Sequence, residues 1–295
     1  MSRSIKADHN LAFAHPIMSK KMEFPQIMRL AAALLLMLLT SSVLAGDFED
    51  GVKSYLAKDY PKALIYFEKV AEQGNSNAQF VLGNMYFEGV GVKQDYQQAI
   101  SWYRKAAEKG QSIAQNNLGM MYNSGIGIEK DYLQAASWYR KAAESGYVKA
   151  QFNLGIMYEK GLGIEQDYGQ AVSWYRKAAE QGETKAQYNL GFMYEIGQGI
   201  PQSYSDALVW YQKSAEQGDA NAQFSLGLLT ASGKGVTKNY IEAHKWFEIS
   251  GLNGISDGQA NRVGIEKYMT QEDIAAAQKR AADWIEAHPN SRHQK

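Results

Sequence analysis

Apolar residues recur at helical spacing along this chain, and the whole pattern returns every 36 residues. In the unit that opens near Ala78, Ala78, Leu82, Met85 and Tyr86 fall at i, i+4, i+7 and i+8, which predicts a helix over about Asn77 to Phe87 with one buried stripe. Gly89-Val90-Gly91 ends it, and the same Gly-x-Gly returns at 125/127, 161/163, 197/199 and 233/235. A second helix follows, with Tyr96, Ala99, Trp102, Tyr103 and Ala106 on its apolar face. Its start is marked by an N-cap residue and a partner three residues on: Asp95/Gln98, then Asp131/Gln134, Asp167/Gln170, Ser203/Asp206 and Asn239/Glu242. Glycines at 74, 110, 146, 182, 218 and 254 close the units. Loops this short between helices predict antiparallel neighbours.

A period of this length means a stack of identical supersecondary units. The chain is therefore expected to be all-α, an α-solenoid of antiparallel helix pairs. Thr270-Gln271-Glu272-Asp273 opens a final helix to about Ala287 with Trp284 inside, which suits the polar cap a solenoid needs at its last hydrophobic face.

Compartment and charge narrow the functional classes. Lys20, Lys21 and Arg29 precede an apolar run from Leu30 to Leu39, and Val43 and Ala45 stand at −3 and −1 of a cut before Gly46, with translation starting either at Met1 or at Met18. That pattern reads as a secretory signal peptide over residues 1–45, giving a periplasmic or secreted protein with no integral membrane span after cleavage. Beyond residue 45 there are 26 basic and 29 acidic residues, a slightly negative balance that argues against nucleic acid and acidic lipid as partners. There is no cysteine, so neither a disulfide framework nor thiolate chemistry is available.

Catalytic readings find little. None of the Gly-x-Gly pairs continues into the Gly-Lys-Ser/Thr of a phosphate loop. After the leader the histidines are His244, His288 and His293, without metal-ligand spacing or a neighbouring nucleophile. No enzyme activity, cofactor or metal is expected. Lys105, Lys141, Lys177 and Lys213 precede Glu108, Glu144, Glu180 and Glu216 by three residues and read as solvated ion pairs.

The run from Ala114 to Gly146, repeated from Ala150 to Gly182, has the form Ala-x-x-x-Leu-Gly-x-x-Tyr-x-x-Gly-x-Gly-x-x-x-Asp-Tyr-x-x-Ala-x-x-Trp-Tyr-x-Lys-Ala-Ala-Glu-x-Gly. It resembles the Sel1-like repeat, a relative of the tetratricopeptide repeat. The resemblance covers residues 76–254 as five units, preceded over 46–75 by a more tetratricopeptide-like unit and followed over 255–295 by capping helices and a tail. It implies a right-handed superhelix that serves as a non-catalytic scaffold or adaptor, taking a protein or peptide in its concave groove, in bacterial envelope signalling or host contact.

The first-helix positions opposite the core stripe are the candidate groove. Unit by unit they read Phe80/Asn84/Phe87, Asn116/Met120/Asn123, Phe152/Ile156/Glu159, Tyr188/Phe192/Glu195 and Phe224/Leu228/Ala231. Two readings are open for this apolar set: anchors for a partner, or packing between units. One position over, Asn117, Asn153 and Asn189 form a ladder suited either to gripping a peptide main chain or to tying helix to helix. Gln79, Gln115, Gln151, Gln187 and Gln223, identical in every unit, fit a repeated hydrogen bond between units. Beside the adaptor reading stand cell-wall glycan binding, which needs exposed tryptophan, and a secreted host-interaction factor.

Overall fold

The computed structural model describes residues 44–289. The leader expected over 1–45 lies outside the described residues except for its last two, and helix α1 begins at Leu44.

Among the described residues fourteen helices follow one another: α1 (Leu44–Leu56), α2 (Tyr60–Glu72), α3 (Ser76–Glu88), α4 (Tyr96–Glu108), α5 (Ser112–Ser124), α6 (Tyr132–Glu144), α7 (Val148–Lys160), α8 (Tyr168–Glu180), α9 (Thr184–Ile196), α10 (Tyr204–Glu216), α11 (Ala220–Ser232), α12 (Tyr240–Leu252), α13 (Ser256–Glu266) and α14 (Gln271–Ala287). Each of α1 to α12 packs on the next in sequence, and α14 folds back on α12. This is the all-α solenoid that the period requires. The first pair is joined by three residues, 57–59, where the later pairs have seven, as in 89–95, so the shorter spacing of the first unit resides in its loop.

The caps are made by the residues the pattern marks. Asp95 Oδ1 accepts from the N–H groups of Gln97 and Gln98, while Asp131, Asp167, Ser203 and Asn239 each accept from the N–H three residues on. The reciprocal capping box is complete at Thr270/Asp273. The two glycines of each Gly-x-Gly loop do different work. Gly161 is the left-handed cap of α7 (φ 66°) and donates to the Met157 carbonyl. Gly163 runs against the backbone of Tyr132 at the start of the previous unit's second helix, where any Cβ would collide with it.

Units are tied together by a hydrogen bond that recurs five times. The Nε2 of Gln79, Gln115, Gln151, Gln187 and Gln223 donates to the carbonyls of Ala71, Ala107, Ala143, Ala179 and Ala215, near the end of the preceding second helix, at 2.9–3.3 Å. Each of these carbonyls also accepts from the N–H of the unit-closing glycine three residues on, at 2.9–3.0 Å, so the glutamine fills its second lone pair and ties the next unit to that turn. In three junctions an arginine adds a second tie, Arg104 to the Tyr122 hydroxyl, Arg140 to Tyr158 and Arg176 to Tyr194, at 2.9–3.1 Å. At the far end Trp284 of α14 meets Trp246 of α12 edge-on at 5.6 Å, and buried His244 reaches Glu266 of α13 at 3.1 Å.

One expectation for the outer face is replaced. Lys105, Lys141, Lys177 and Lys213 lie over the rings of Trp102, Trp138, Trp174 and Trp210, with the ammonium about 4 Å from the ring centre (3.9–4.2 Å), and among the described residues they form no ion pair with the glutamates three positions on. Trp at i−3 shares the lysine's face and offers a desolvated, polarisable surface, which an exposed carboxylate does not.

Candidate functional site

The face opposite the core stripe of the first helices is organised around one buried ring per unit. Tyr103, Tyr139, Tyr175 and Tyr211, with Phe247 in the last repeat, project from the second helix onto the Leu-Gly glycine of the first, where the missing side chain leaves room. The aromatic at the first candidate position covers the ring from the other side: Phe80–Tyr103 at 6.1 Å, Phe152–Tyr175 at 5.8 Å, Tyr188–Tyr211 at 5.6 Å and Phe224–Phe247 at 5.7 Å. Half of the apolar face is thus committed to its own unit.

The tyrosine hydroxyls reach the polar members of the same face. Tyr103 donates to Asn84 Oδ1 at 2.6 Å, Tyr175 to Glu159 Oε2 and Tyr211 to Glu195 Oε2, the last at 2.7 Å. From the following unit Asn117, Asn189 and Ser225 bear on the hydroxyls of Tyr103, Tyr175 and Tyr211. Burial pushes all three hydroxyls well above the ordinary tyrosine range, so they stay neutral donors. Burial also raises the Glu159 carboxyl, against the opposing pull of the Tyr175 hydrogen bond and of Lys160.

The face changes character along the array. In the first two repeats Phe80, Asn84, Phe87, Asn117 and Met120 are all 3–6% exposed, buried against their neighbours rather than open to solvent. Phe87 packs on Tyr96 at 5.3 Å and on Tyr103 at 6.5 Å, and Asn117 keeps a buried Nδ2 with no hydrogen-bond partner. In the third, fourth and fifth repeats Phe152, Asn153, Ile156, Tyr188, Asn189, Phe192, Phe224 and Leu228 are half-buried. Asn153 donates to Asn116 Oδ1 at 3.1 Å, linking α7 to α5 directly. The candidates of α7, α9 and α11 are thus half-buried, while those of α3 and α5 pack inward.

Glu159 and Glu195 did not stand out as site residues in the sequence, although a carboxylate at the third candidate position of an otherwise apolar face is a signal in itself. On the second-helix side, an open depression of about 370 Å³ lined by Gln97, Ile100, Arg104 and Ile128 lies apart from this face. Among the described residues no group of three or more His, Asp or Glu could hold a metal ion. None of their helices is long and apolar enough to cross a membrane.

The family model described as Sel1 repeat matches residues 45–75, 76–111, 112–147, 148–183, 184–219 and 220–255, one helix pair per match. Among solved structures, the chain is 36% identical to c5321, a protective antigen of uropathogenic Escherichia coli with an SLR fold, at a TM-score of 0.75 over 90% of this chain and 57% of that one. It therefore spans little more than half the antigen's length. It is 34% identical to a Sel1 repeat protein from Oxalobacter formigenes, at a TM-score of 0.70 over 80% of this chain and 99% of that one. No curated protein matches the chain significantly. Proteins built from this repeat are in general scaffolds for protein–protein interaction. With six consecutive matches falling on six observed helix pairs, the chain belongs to the Sel1 repeat family.

Proposed function

We propose that this protein is a non-catalytic adaptor of the bacterial envelope that receives a protein or peptide partner on the first-helix face of its third to fifth repeats, the concave side in the family resemblance. The observation that carries the reading is the partial exposure of Phe152, Ile156 and Phe192 at positions where the earlier repeats bury theirs. Apolar side chains left in reach of solvent on consecutive stacked helices supply the desolvated anchors that a partner's side chains need. The envelope assignment rests on the leader pattern of residues 1–45, and a membrane sensor's periplasmic part is a partner of the right location.

Affinity capture with crosslinking from an envelope fraction tests this, comparing the mature chain with a Phe152→Ser, Ile156→Ser, Phe192→Ser variant of equal helicity. A protein recovered by the first and lost by the second supports the adaptor reading. Equal recovery, or none, refutes it.

A second reading, a secreted or surface-exposed factor that meets host proteins, is favoured by the likeness to the E. coli antigen. Fractionation separates it from the first. Glycan binding has less in its favour, because the repeat tryptophans are packed and each carries a lysine over its ring.

A further inference from the structure

Of the five 36-residue repeats over residues 76–254, only the third and fourth place a charge at the third candidate position of the first helix, where the series reads Phe87, Asn123, Glu159, Glu195, Ala231. Both carboxylates are built in the same way. Oε2 accepts the hydroxyl of a fully buried tyrosine, Tyr175 or Tyr211, which holds the side chain in one orientation. Oε1 has no hydrogen-bond partner among the described residues, and it is not a buried orphan either, so it opens to solvent. Neither carboxylate has a lysine or arginine nitrogen within ion-pair distance among the described residues. Beside them lie the half-buried apolar side chains Phe152, Ile156, Tyr188 and Phe192.

We infer that the partner segment carries two cationic side chains, Lys or Arg, one for Oε1 of Glu159 and one for Oε1 of Glu195, flanking apolar residues that seat on Phe152, Ile156 and Phe192. The inference rests on the groove reading above and adds the partner's charge. A carboxylate pre-oriented by a buried hydroxyl and partly desolvated by apolar neighbours is a poor place for a free anion and a good one for a cation to meet, since little ordering remains to be done on binding. Burial already raises the Glu159 carboxyl, and an incoming cation would reverse that shift. The contrast is internal to the chain: the same scaffold presents phenylalanine, asparagine or alanine at the other three registers.

The spacing sets a register on the partner. First helices of neighbouring units meet through side chains, as Asn153 of α7 meets Asn116 of α5, and such helices lie about 10 Å apart. An extended chain rises about 3.3 Å per residue and a helix about 1.5 Å. The two basic residues are therefore about three positions apart in an extended segment, or about seven in a helical one.

The test uses labelled 15-residue peptides that share leucines at every third or fourth position and carry Lys, Gln or Glu at two sites, set three residues apart in one series and seven in another. Each is titrated by fluorescence anisotropy against the mature chain, a Glu159→Gln/Glu195→Gln variant, and a Phe152→Ser/Phe192→Ser variant. Glutamine keeps an acceptor for each tyrosine hydroxyl, so the first variant folds, as a melting curve checks. In at least one series the Lys peptide is expected to bind ten-fold or more tighter than the Gln peptide, with the Glu peptide weakest. The double glutamine variant erases that order. Lys and Gln peptides binding equally in both series, yet lost with the serine variant, would overturn the cationic inference and leave the groove standing. Binding that ignores the serine variant, or no binding at all, overturns both.

Discussion

The ring of Tyr175 lies directly on the backbone of Gly155: a Cβ placed on that glycine would sit 2.6 Å from both Cδ1 and Cε1 of the tyrosine. The helix pair of the third repeat is held as close as it is because one side chain is absent. Substitution Gly155→Ala is expected to lower stability by about 1–3 kcal/mol, the range for overpacking a rigid contact. Gly264→Ala is the matched control. Gly264 lies inside α13 with nothing within 4 Å of its would-be Cβ, so alanine there should stabilise by up to about 1 kcal/mol through helix propensity. Urea midpoints of the two variants check the pair, and equal effects would show that close approach is not what the Leu-Gly glycine provides.

The glutamine ties are not equally satisfied. Gln181 donates to Gln151 Oε1 at 2.7 Å, Gln217 to Gln187 Oε1 at 2.7 Å and Asn253 to Gln223 Oε1 at 2.9 Å. The residue at that register in the second repeat is Ser145, too short to reach, and Gln115 Oε1 is buried without a partner. Ser145→Gln is therefore expected to raise stability by about 1 kcal/mol, the net worth of one such bond. The same substitution combined with Gln115→Leu should gain nothing.

The arginine tie is missing from the first junction, although its tyrosine is in place. Glu68 occupies the register of Arg104, and its charge helps raise the Tyr86 hydroxyl, second to burial. Glu68→Arg should stabilise by about 0.5–1.5 kcal/mol through a hydrogen bond of the Arg104–Tyr122 kind. Gln212→Arg, which faces Thr230 where the other repeats have a phenol, should not. A gain from both would point to helix propensity instead.

Glu159 makes stability depend on pH in a stated direction. Burial raises its carboxyl in the folded chain, so the folded state holds the proton more tightly than the unfolded one. The stabilisation linked to it is full below the ordinary carboxylate value and is lost as pH rises through the raised folded value. Glu159→Gln removes that loss, so the variant should melt higher than the parent near pH 7, with the difference closing by about pH 4. Glu88 and Asp219 are raised by burial in the same direction, so the quantity to read is the difference between the two proteins rather than the parent's own slope.

Helices, caps and the glutamine tie were legible because each depends on residues close in sequence or on an identity repeated in every unit. Asp95 and its equivalents signal a helix start through neighbours two or three residues away. The Lys105–Trp102 contact was missed because a lysine and a glutamate three apart read equally well as an ion pair, and only the solvent exposure of each partner decides. Which candidate positions stay open was not legible at all. Phe80 and Phe152 share one register and one type of ring contact, yet the former is buried and the latter half-buried. That difference comes from how neighbouring units pack over the face, a tertiary quantity to which a periodic pattern is blind.

The asparagine ladder divides along the same line, and this yields a prediction that separates its two readings. Asn117 is buried with an unsatisfied Nδ2, and the Tyr103 hydroxyl it bears on keeps its bond to Asn84 without it, so Asn117→Ala should change neither melting temperature nor partner capture by much. Asn153 is half-buried and satisfies Asn116, itself buried, so Asn153→Ala strands an acceptor and is expected to destabilise by about 1–3 kcal/mol. Asn189 is also half-buried, and the Tyr175 hydroxyl it approaches keeps its bond to Glu159 without it. Asn189→Ala is therefore the informative variant: it should leave melting within a few degrees, given the bond that remains, while weakening capture of a partner or of the Lys peptide. If Asn189→Ala leaves capture intact, the ladder ties units together and the partner is gripped by the apolar and acidic side chains alone. If Asn117→Ala weakens capture as much, the binding face reaches into the second repeat, and the buried residues there must open when the partner arrives.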